Sequence, residues 1–245
     1  MTGGQERTYR IRHRAEADWL AYRVAFRETD LWIRSKTDMT RQIHETVVTC
    51  RHQLETHIAA NPAFLKSLVP IPADPLAPHL IKTMIEAAEK AGVGPMAAVA
   101  GAIAQRVGEM MRGAGLDSIV ENGGDCFIDL KQDIKVGIHA GDDSPFRDLL
   151  ALNFRASRFP LAVCTSSSRI GHSLSLGKAD IATVVSRDAA LADAAATAVC
   201  NRVQTVRDLN PAAEFAMSIP GVEGVLILLG EKLAIQGAME LCQPG

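Results

Sequence analysis

Apolar residues occupy alternate positions across residues 22–26, and a second apolar run, residues 31–33, follows after four polar residues. Alternation with a period of two places one face of a strand toward a core, and the polar break between the two runs is typical of a turn. Residues 22–33 are therefore predicted to form a β-hairpin. A similar alternation predicts an earlier strand at residues 8–12.

The apolar period lengthens to three or four residues after Asp38 and keeps that spacing as far as Ile58. This pattern predicts an amphipathic helix of about five to six turns, with Thr37 or Asp38 as its N-cap. Asn61-Pro62 is predicted to end it, because proline cannot continue a helix. Four prolines between positions 70 and 78 then favour an extended connection.

Two further helices are predicted at residues 78–90, with a left-handed cap at Gly92, and at residues 95–112. Short apolar runs predict strands at residues 118–121, 126–130, 134–139, 161–165 and 181–185. A helix at residues 189–207 is predicted to precede a last strand pair, residues 225–229 and 232–236, joined at Gly230.

Strand pairs, grouped helices and a return to strands favour an α+β fold over alternating βαβ units. A length of 245 residues is long for one domain and short for two. We expect one domain over residues 1–245: a hairpin with helices to residue 91, a ligand-site core at 92–201, and the last strands at 202–245.

Composition excludes several partners and compartments. A net charge of -2 gives no general attraction to nucleic acid or to an anionic membrane, and no apolar stretch is long enough to span a bilayer. Residues 1–14 are polar and arginine-rich, unlike a signal peptide. The five cysteines are scattered, which argues against a disulfide framework or a zinc ribbon. We expect a cytoplasmic protein with no nucleic-acid or membrane partner.

Residues 92–97, GVGPMA, match a G-x-G-x-x-A dinucleotide pattern. The context rejects that interpretation, because the dinucleotide fingerprint follows a strand and this segment follows a predicted helix. A tight turn at Gly94 that presents free amides at a helix start could still bind an anion or a phosphate. A turn packed between two helices explains the segment equally well.

Asn122, Gly123, Gly124 and Asp125 lie between two predicted strands. A pair of glycines lets the backbone approach a ligand, and the flanking side chains would place polar groups beside it. A simple hairpin turn needs no ligand and explains the same four residues.

Residues 164–173 contain the densest run of hydroxyl groups in the chain, together with Arg169 and an imidazole. Such groups suit a phosphate or a ribose, whereas a solvent-exposed serine loop is the competing interpretation. The run follows an apolar strand and leads into another, which favours a site, although nothing resembles a nucleophile elbow. The candidate ligand contacts are Thr165, Ser166, Ser167, Ser168 and His172.

Asp193 and Thr197 are four residues apart and therefore share one face of a helix. Hard oxygen ligands in this arrangement suit Mg²⁺, which water or a substrate phosphate usually completes. An aspartate that complements the helix dipole is an equally good explanation of Asp193.

Three blocks of this sequence, residues 92–105, 120–127 and 163–201, together resemble the ApbE-like superfamily, and most closely an uncharacterised branch of it. Its best-known members are flavin transferases, which attach FMN from FAD to a protein threonine. The resemblance implies a T-fold-like antiparallel sheet with packed helices. It also implies Asp193 and Thr197 as magnesium ligands, with a backbone carbonyl near residues 102–104 as a third.

The same resemblance implies that Gly123 and Gly124 lie along a flavin nucleotide such as FAD and that His172 contacts this cofactor. Two departures from the flavin transferases matter. Their Asp-Pro-Arg-Thr-Gly run is replaced by SLSLG at residues 173–177, and Gln105 stands where they have a lysine. Two functions are therefore expected: a Mg²⁺-dependent transferase acting on a flavin or another nucleotide, or a non-catalytic ligand-binding or sensor module. Both have a small molecule as partner, and the sequence leaves a homo-oligomer open.

Overall fold

The structure is a computed structural model that describes residues 18–141, 144–147, 149–168 and 177–244. Its first two strands are β1 (Leu20–Phe26) and β2 (Thr29–Ser35), which pair antiparallel as a hairpin. Phe26 lies opposite Thr29, so only two residues form the turn between them. The predicted hairpin is confirmed, whereas the strand predicted at residues 8–12 lies outside the described residues.

Helix α1 (Thr40–Ala60) follows, as the period of three to four residues predicts. The N-cap was predicted at Thr37 or Asp38, and this was wrong, because Met39 occupies that position. Asp38 still helps the first turn, since its carboxylate accepts a hydrogen bond from the amide of Thr40 at 2.8 Å. Pro62 both ends α1 and begins the short helix α2 (Pro62–Lys66), because proline suits the first position of a helix.

Helix α3 (His79–Ala91) ends at Gly92 in the left-handed conformation, as predicted. The helix predicted at residues 95–112 is divided in the structure. A 3₁₀ turn, Pro95–Ala98, comes first, and α4 (Val99–Gly113) continues from it. The helix predicted at residues 189–207 ends earlier in the structure, as α5 (Ala189–Arg202). A 3₁₀ turn (Val206–Asp208) and the helix α6 (Leu209–Ser218) follow, and α6 was not predicted.

The main sheet has eight strands in the order β1-β2-β3-β4-β7-β8-β9-β10. Each pairing among the described strands is antiparallel. Besides the first hairpin, its members are β3 (Ser118–Asn122), β4 (Asp125–Asp129), β7 (Leu161–Ser166), β8 (Ile181–Ser186), β9 (Val222–Leu229) and β10 (Lys232–Gly237).

A smaller sheet has the order β11-β6-β5. Its strands are β5 (Ile134–Gly137), β6 (Ala151–Phe154) and β11 (Glu240–Cys242), of which only β5 was predicted. Strands β6 and β11 have only four and three residues, too few for a clear alternation of apolar and polar positions.

The main sheet is buried on both faces, with the helices on one and the smaller sheet on the other. Alternate side chains of β9 divide between the two cores: Val225 and Ile227 pack with the helices, and Leu226 and Leu228 with the smaller sheet. This antiparallel sheet with packed helices confirms the predicted α+β class. Within the described ranges, no helix is long and apolar enough to cross a membrane.

Candidate functional site

Helix α5 is almost entirely enclosed between the main sheet and helices α3 and α4. Ten of its 14 residues are buried, most of them alanines, so neighbouring backbones approach it closely. Asp193 and Thr197 keep part of their surface accessible and lie one turn apart on one face. In the described part of the chain, the Thr197 hydroxyl makes no hydrogen bond.

Asp193 caps helix α4 from across the helix interface. Its Oδ2 accepts a hydrogen bond from the amide of Gly101 at 2.9 Å, and the amide of Ala100 also donates to this carboxylate. The contact requires glycine at position 101, because a methyl group there would lie 2.1 Å from the carbonyl oxygen of Ala189. The N-terminus of α4 therefore faces a carboxylate, which is the arrangement that its dipole favours.

Asp125 begins β4, directly after the turn that joins it to β3. Its Oδ1 accepts a hydrogen bond from the amide of Thr165 at 3.2 Å, and the thiol of Cys164 also hydrogen-bonds to this carboxyl. The residue is only 7% exposed. Asp125 was predicted as a ligand contact from its place beside two glycines; the structure brings it into electrostatic contact with Asp193.

Burial raises the proton affinity of both Asp125 and Asp193, and the charge of Asp193 adds to the effect at Asp125. Burial raises the pKa of Asp125 well above its usual value, and the charges of Asp193 and Glu121 raise it further. Burial also raises the pKa of Asp193 to about 7, although the amides of Gly101 and Ala100 act in the opposite direction. The pair therefore carries fewer than two negative charges at neutral pH and titrates as a unit.

Cys164 lies between these carboxylates but is not suited to nucleophilic chemistry. Burial raises the pKa of its thiol well above the usual value, and the neighbouring charges of Asp125 and Asp193 add to this effect. A thiol that stays protonated at neutral pH is a poor nucleophile. Cys164 is accordingly a small buried side chain that donates a hydrogen bond.

The turn between β3 and β4 consists of Gly123 and Gly124, with φ angles of +74° and +121°. These left-handed conformations are what a two-residue hairpin turn demands, so the turn itself accounts for both glycines. Asn122 connects the turn to the helices, because its Nδ2 donates a hydrogen bond to the carbonyl of Ala100 at 3.1 Å. The turn thus lies beside the start of α4, and its predicted contact with a nucleotide stays a prediction.

Gly94 packs against the segment that follows α2. A methyl group at this position would lie 1.8 Å from the carbonyl oxygen of Ser67. Its own carbonyl accepts a hydrogen bond from the amide of Ala97 at 3.1 Å, within the 3₁₀ turn. The packed-turn alternative therefore explains this glycine, and its role as a ligand contact stays a prediction.

The described hydroxyls of the serine-rich run do not converge on one point. Thr165 points to the sheet face opposite Cys164 and forms a 2.9 Å hydrogen bond with Thr183. Ser167 and Ser168 each donate at 2.6 Å to a carbonyl of the segment that enters β8, Asp180 and Ala179 respectively.

Ser166 has the same parity as Cys164 and lies on the helix side of the sheet. Its hydroxyl is buried and has no hydrogen-bond partner among the described residues. Arg169 and His172 lie outside the described residues. Of the predicted hydroxyl contacts, Ser166 is thus the one that a ligand could still satisfy.

A cavity of about 640 Å³ lies beside the start of α4 and was not predicted. It is lined by the turn of the first hairpin, by α1 and by the segment from Met96 to Ile103, and it reaches Asn122. No local signal in the sequence reveals it, because the apolar stripe of α1 continues unbroken from Val47 through Cys50 to Leu54 beside Arg51.

A family model described as AbpE bacteria matches residues 11–218. The UPF0280 protein of Methanocaldococcus jannaschii is 35% identical over 228 residues, which cover 89% of this chain and 91% of that protein. The UPF0280 protein of Methanothrix thermoacetophila is 44% identical over 194 residues, which cover 78% of this chain and 80% of that protein.

Two solved structures share the fold at low sequence identity. The apo form of the flavinyl transferase ApbE from Pseudomonas stutzeri aligns with a TM-score of 0.58 and 10% identity, covering 89% of this chain and 94% of that one. The ApbE protein of Thermotoga maritima aligns with a TM-score of 0.56 and 15% identity, covering 90% and 97%. These likenesses confirm an ApbE-like fold.

Proposed function

Because the chain belongs to the AbpE bacteria family, we propose that it is a Mg²⁺-dependent protein that binds a flavin or another nucleotide and acts as a transferase. The observation that carries the proposal is the environment of Asp193. Asp193 is half-buried, its carboxylate is held by two amides of α4, and burial raises its pKa to about 7. Ionisable groups with such strongly shifted pKa values cluster at functional sites.

The side chains around Asp193 suit a magnesium ion. Asp193 and Thr197 would supply a carboxylate and a hydroxyl oxygen from one helix face, and Mg²⁺ is commonly held by one or two carboxylates with water and substrate phosphates. In the described ranges, no group of three or more His, Cys, Asp or Glu side chains is arranged to hold a metal ion. A Mg²⁺ ion held by a single protein carboxylate therefore needs further oxygen atoms from water and from the phosphate groups of the bound nucleotide.

Asp125, Ser166 and the β3–β4 turn each have a distinct role in this proposal. A bound Mg²⁺ would neutralise the charge of the ligand's phosphate groups. Burial raises the pKa of Asp125, so its carboxyl group can donate a hydrogen bond to the ligand in its protonated form. The Ser166 hydroxyl offers a second polar contact, and the turn at Gly123 and Gly124 leaves room for the ligand beside the start of α4.

Isothermal titration calorimetry with FAD, FMN and ATP, each with and without Mg²⁺, tests this proposal. We expect binding that requires Mg²⁺ and is weakened at least tenfold in Asp193→Ala and in Thr197→Val. Glu45→Ala removes an exposed carboxylate on α1 and serves as the matched control, with unchanged binding expected. Absence of binding in the wild type, or equal binding in Asp193→Ala, would overturn the proposal.

One observation favours the second function, a non-catalytic ligand-binding or sensor module. Gln105 takes the place of the lysine found in flavin transferases and is engaged in joining helices. Its Oε1 accepts a hydrogen bond from the amide of Ala189 at 2.7 Å, and its Nε2 donates to Glu109 at 2.9 Å. A flavinylation assay with a threonine-containing acceptor protein separates the two functions: FAD binding without modification of the acceptor supports the module and contradicts transfer.

A further inference from the structure

The cavity beside α4 combines an apolar wall with a small number of polar groups. Its volume of about 640 Å³ falls within the range of about 300–1,000 Å³ that is typical of small-molecule sites. The apolar part of its wall comes from α1 and from the start of α4: Leu54, Ile58, Ala59, Met96, Val99 and Ile103. Thr29 and Asn122 add a hydroxyl and an amide.

Four charged residues line the cavity, namely Arg27, Glu28, Arg51 and Glu55, and Arg51 is the least exposed of them. Its side chain is only 14% exposed, and it forms ion pairs with Glu28 and with Glu55. Its Nε atom is buried and has no hydrogen-bond partner in the described part of the chain. A guanidinium held in this way offers a fixed set of donors to a planar anionic group.

The two partners of Arg51 are not equally firmly held. The side chain of Glu28 is 75% exposed, whereas that of Glu55 is 34% exposed and also pairs with Arg27. Ion pairs with a solvent-exposed partner contribute little to stability. Glu28 is therefore the less firmly held of the two partners of Arg51.

We infer that this cavity binds a small molecule with an apolar ring system and one anionic oxygen group, which Arg51 receives in place of Glu28. The inference rests on the proposed function and deepens it, because Ala100 joins the two regions. Ala100 lines the cavity, its carbonyl accepts from Asn122, and its amide donates to Asp193. The ring-bearing part of the ligand would thus lie on one side of the α4 start and its phosphate groups on the other.

Two fluorescent probes with related ring systems test the inference: 8-anilinonaphthalene-1-sulfonate, which is anionic, and N-phenyl-1-naphthylamine, which is neutral. Ala59→Trp places a large ring in the cavity from an exposed position of α1, and Ala60→Trp places the same ring beside it, outside the cavity wall. We expect Ala59→Trp to weaken both probes about tenfold or more, equivalent to about 1.4 kcal/mol, and Ala60→Trp to leave both unchanged.

Arg51→Gln tests the anion contact. It should weaken the sulfonate probe about tenfold and leave the neutral probe unchanged. Arg41→Gln is its matched control, because Arg41 lies on the same helix in an exposed ion pair with Glu45. Equal binding of the sulfonate probe to Ala59→Trp and Ala60→Trp overturns the inference, and so does an Arg51→Gln variant that weakens both probes alike.

These results are independent of the calorimetry with FAD. Probe binding that follows the expected pattern, together with no FAD binding, would contradict the proposed function and support the cavity. FAD binding that depends on Mg²⁺ but is the same in Ala59→Trp and Ala60→Trp would contradict the cavity and support the proposed function.

Discussion

The Asp193→Asn variant of the metal-free protein should show a stability profile with pH that differs from that of the wild type. Burial raises the pKa of Asp193 from 3.8 to about 7, so the folded state favours the protonated form. The stabilisation that this proton provides is complete below about pH 4, declines as the pH rises toward 7, and is lost above it. Asparagine imitates the neutral form at every pH and should remove the decline.

The magnitude follows from the size of this change in pKa. A rise from 3.8 to about 7 is about three pH units, and at about 1.4 kcal/mol for each it corresponds to about 4 kcal/mol. Asparagine has one acceptor oxygen for the amides of Gly101 and Ala100, which costs about 1 kcal/mol at all pH values. The variant should therefore be about 1 kcal/mol less stable than the wild type at pH 4 and about 3 kcal/mol more stable at pH 8. Loss of the Asp193 charge also lowers the pKa of Asp125, which further increases the stability of the variant relative to the wild type at high pH.

Urea unfolding followed by far-UV circular dichroism, repeated from pH 4 to pH 9 in the presence of EDTA, measures this difference. Asp208→Asn provides a control whose difference from the wild type should stay constant from pH 4 to pH 9. Hydrogen bonds from the amides of Thr205 and Gln204 lower the pKa of Asp208, so its contribution is present above about pH 4 and is lost as the pH falls. A difference between Asp193→Asn and wild type that stays constant from pH 4 to pH 8 would refute the reasoning.

Three further changes test the packing around the site, each measured as the free energy of unfolding in urea. Gly101→Ala should cost about 3 kcal/mol, because the added methyl group meets the carbonyl of Ala189 at 2.1 Å; Gly113→Ala, in open space at the end of the same helix, should cost nothing. Gln105→Ala should cost about 1–3 kcal/mol by leaving the amide of Ala189 unpaired, and hydrogen exchange at that amide should accelerate. Ser167→Ala should cost about 1 kcal/mol through loss of its bond to Asp180, whereas Ser166→Ala should not, because the Ser166 hydroxyl has no partner among the described residues. An equal loss in the two members of either matched pair would contradict the geometry.

Much of the fold follows from local periodicity. Helices α1 and α3 and the strands of the main sheet have clear apolar periods, and the structure confirms them with small changes at their ends. The misses have local causes. Helix α5 was predicted to run to residue 207 but ends at Arg202, and α6 was missed because it is short and contains Pro211. Strands β6 and β11 gain their stability from the small sheet rather than from their own sequence.

The candidate site was harder to predict, because its parts meet only in the tertiary structure. Spacing along α5 correctly placed Asp193 and Thr197 on one helix face. Nothing in the local sequence indicates that Asp193 caps a different helix. Nor does it indicate that Asp193 lies close enough to Asp125 to raise the pKa of Asp125. The number of hydroxyl groups in a segment predicted ligand contacts less well than helix spacing predicted a shared face. The hydroxyls of Ser167 and Ser168 are already used in hydrogen bonds to the segment that enters β8.

The start of α4 explains why segments far apart in sequence belong to one site. The carbonyl of Ala100 holds the β3–β4 turn through Asn122, its amide holds Asp193 of α5, and Gly101 allows the two helices to touch. Ala100 and Asn122 also line the cavity that contains Arg51. Ala100 thus links the two regions, because it hydrogen-bonds to Asn122, which lines the cavity, and to Asp193, which lies outside it. We accordingly expect the carboxylate pair and the cavity to act as one site, with changes at Gly101 affecting both.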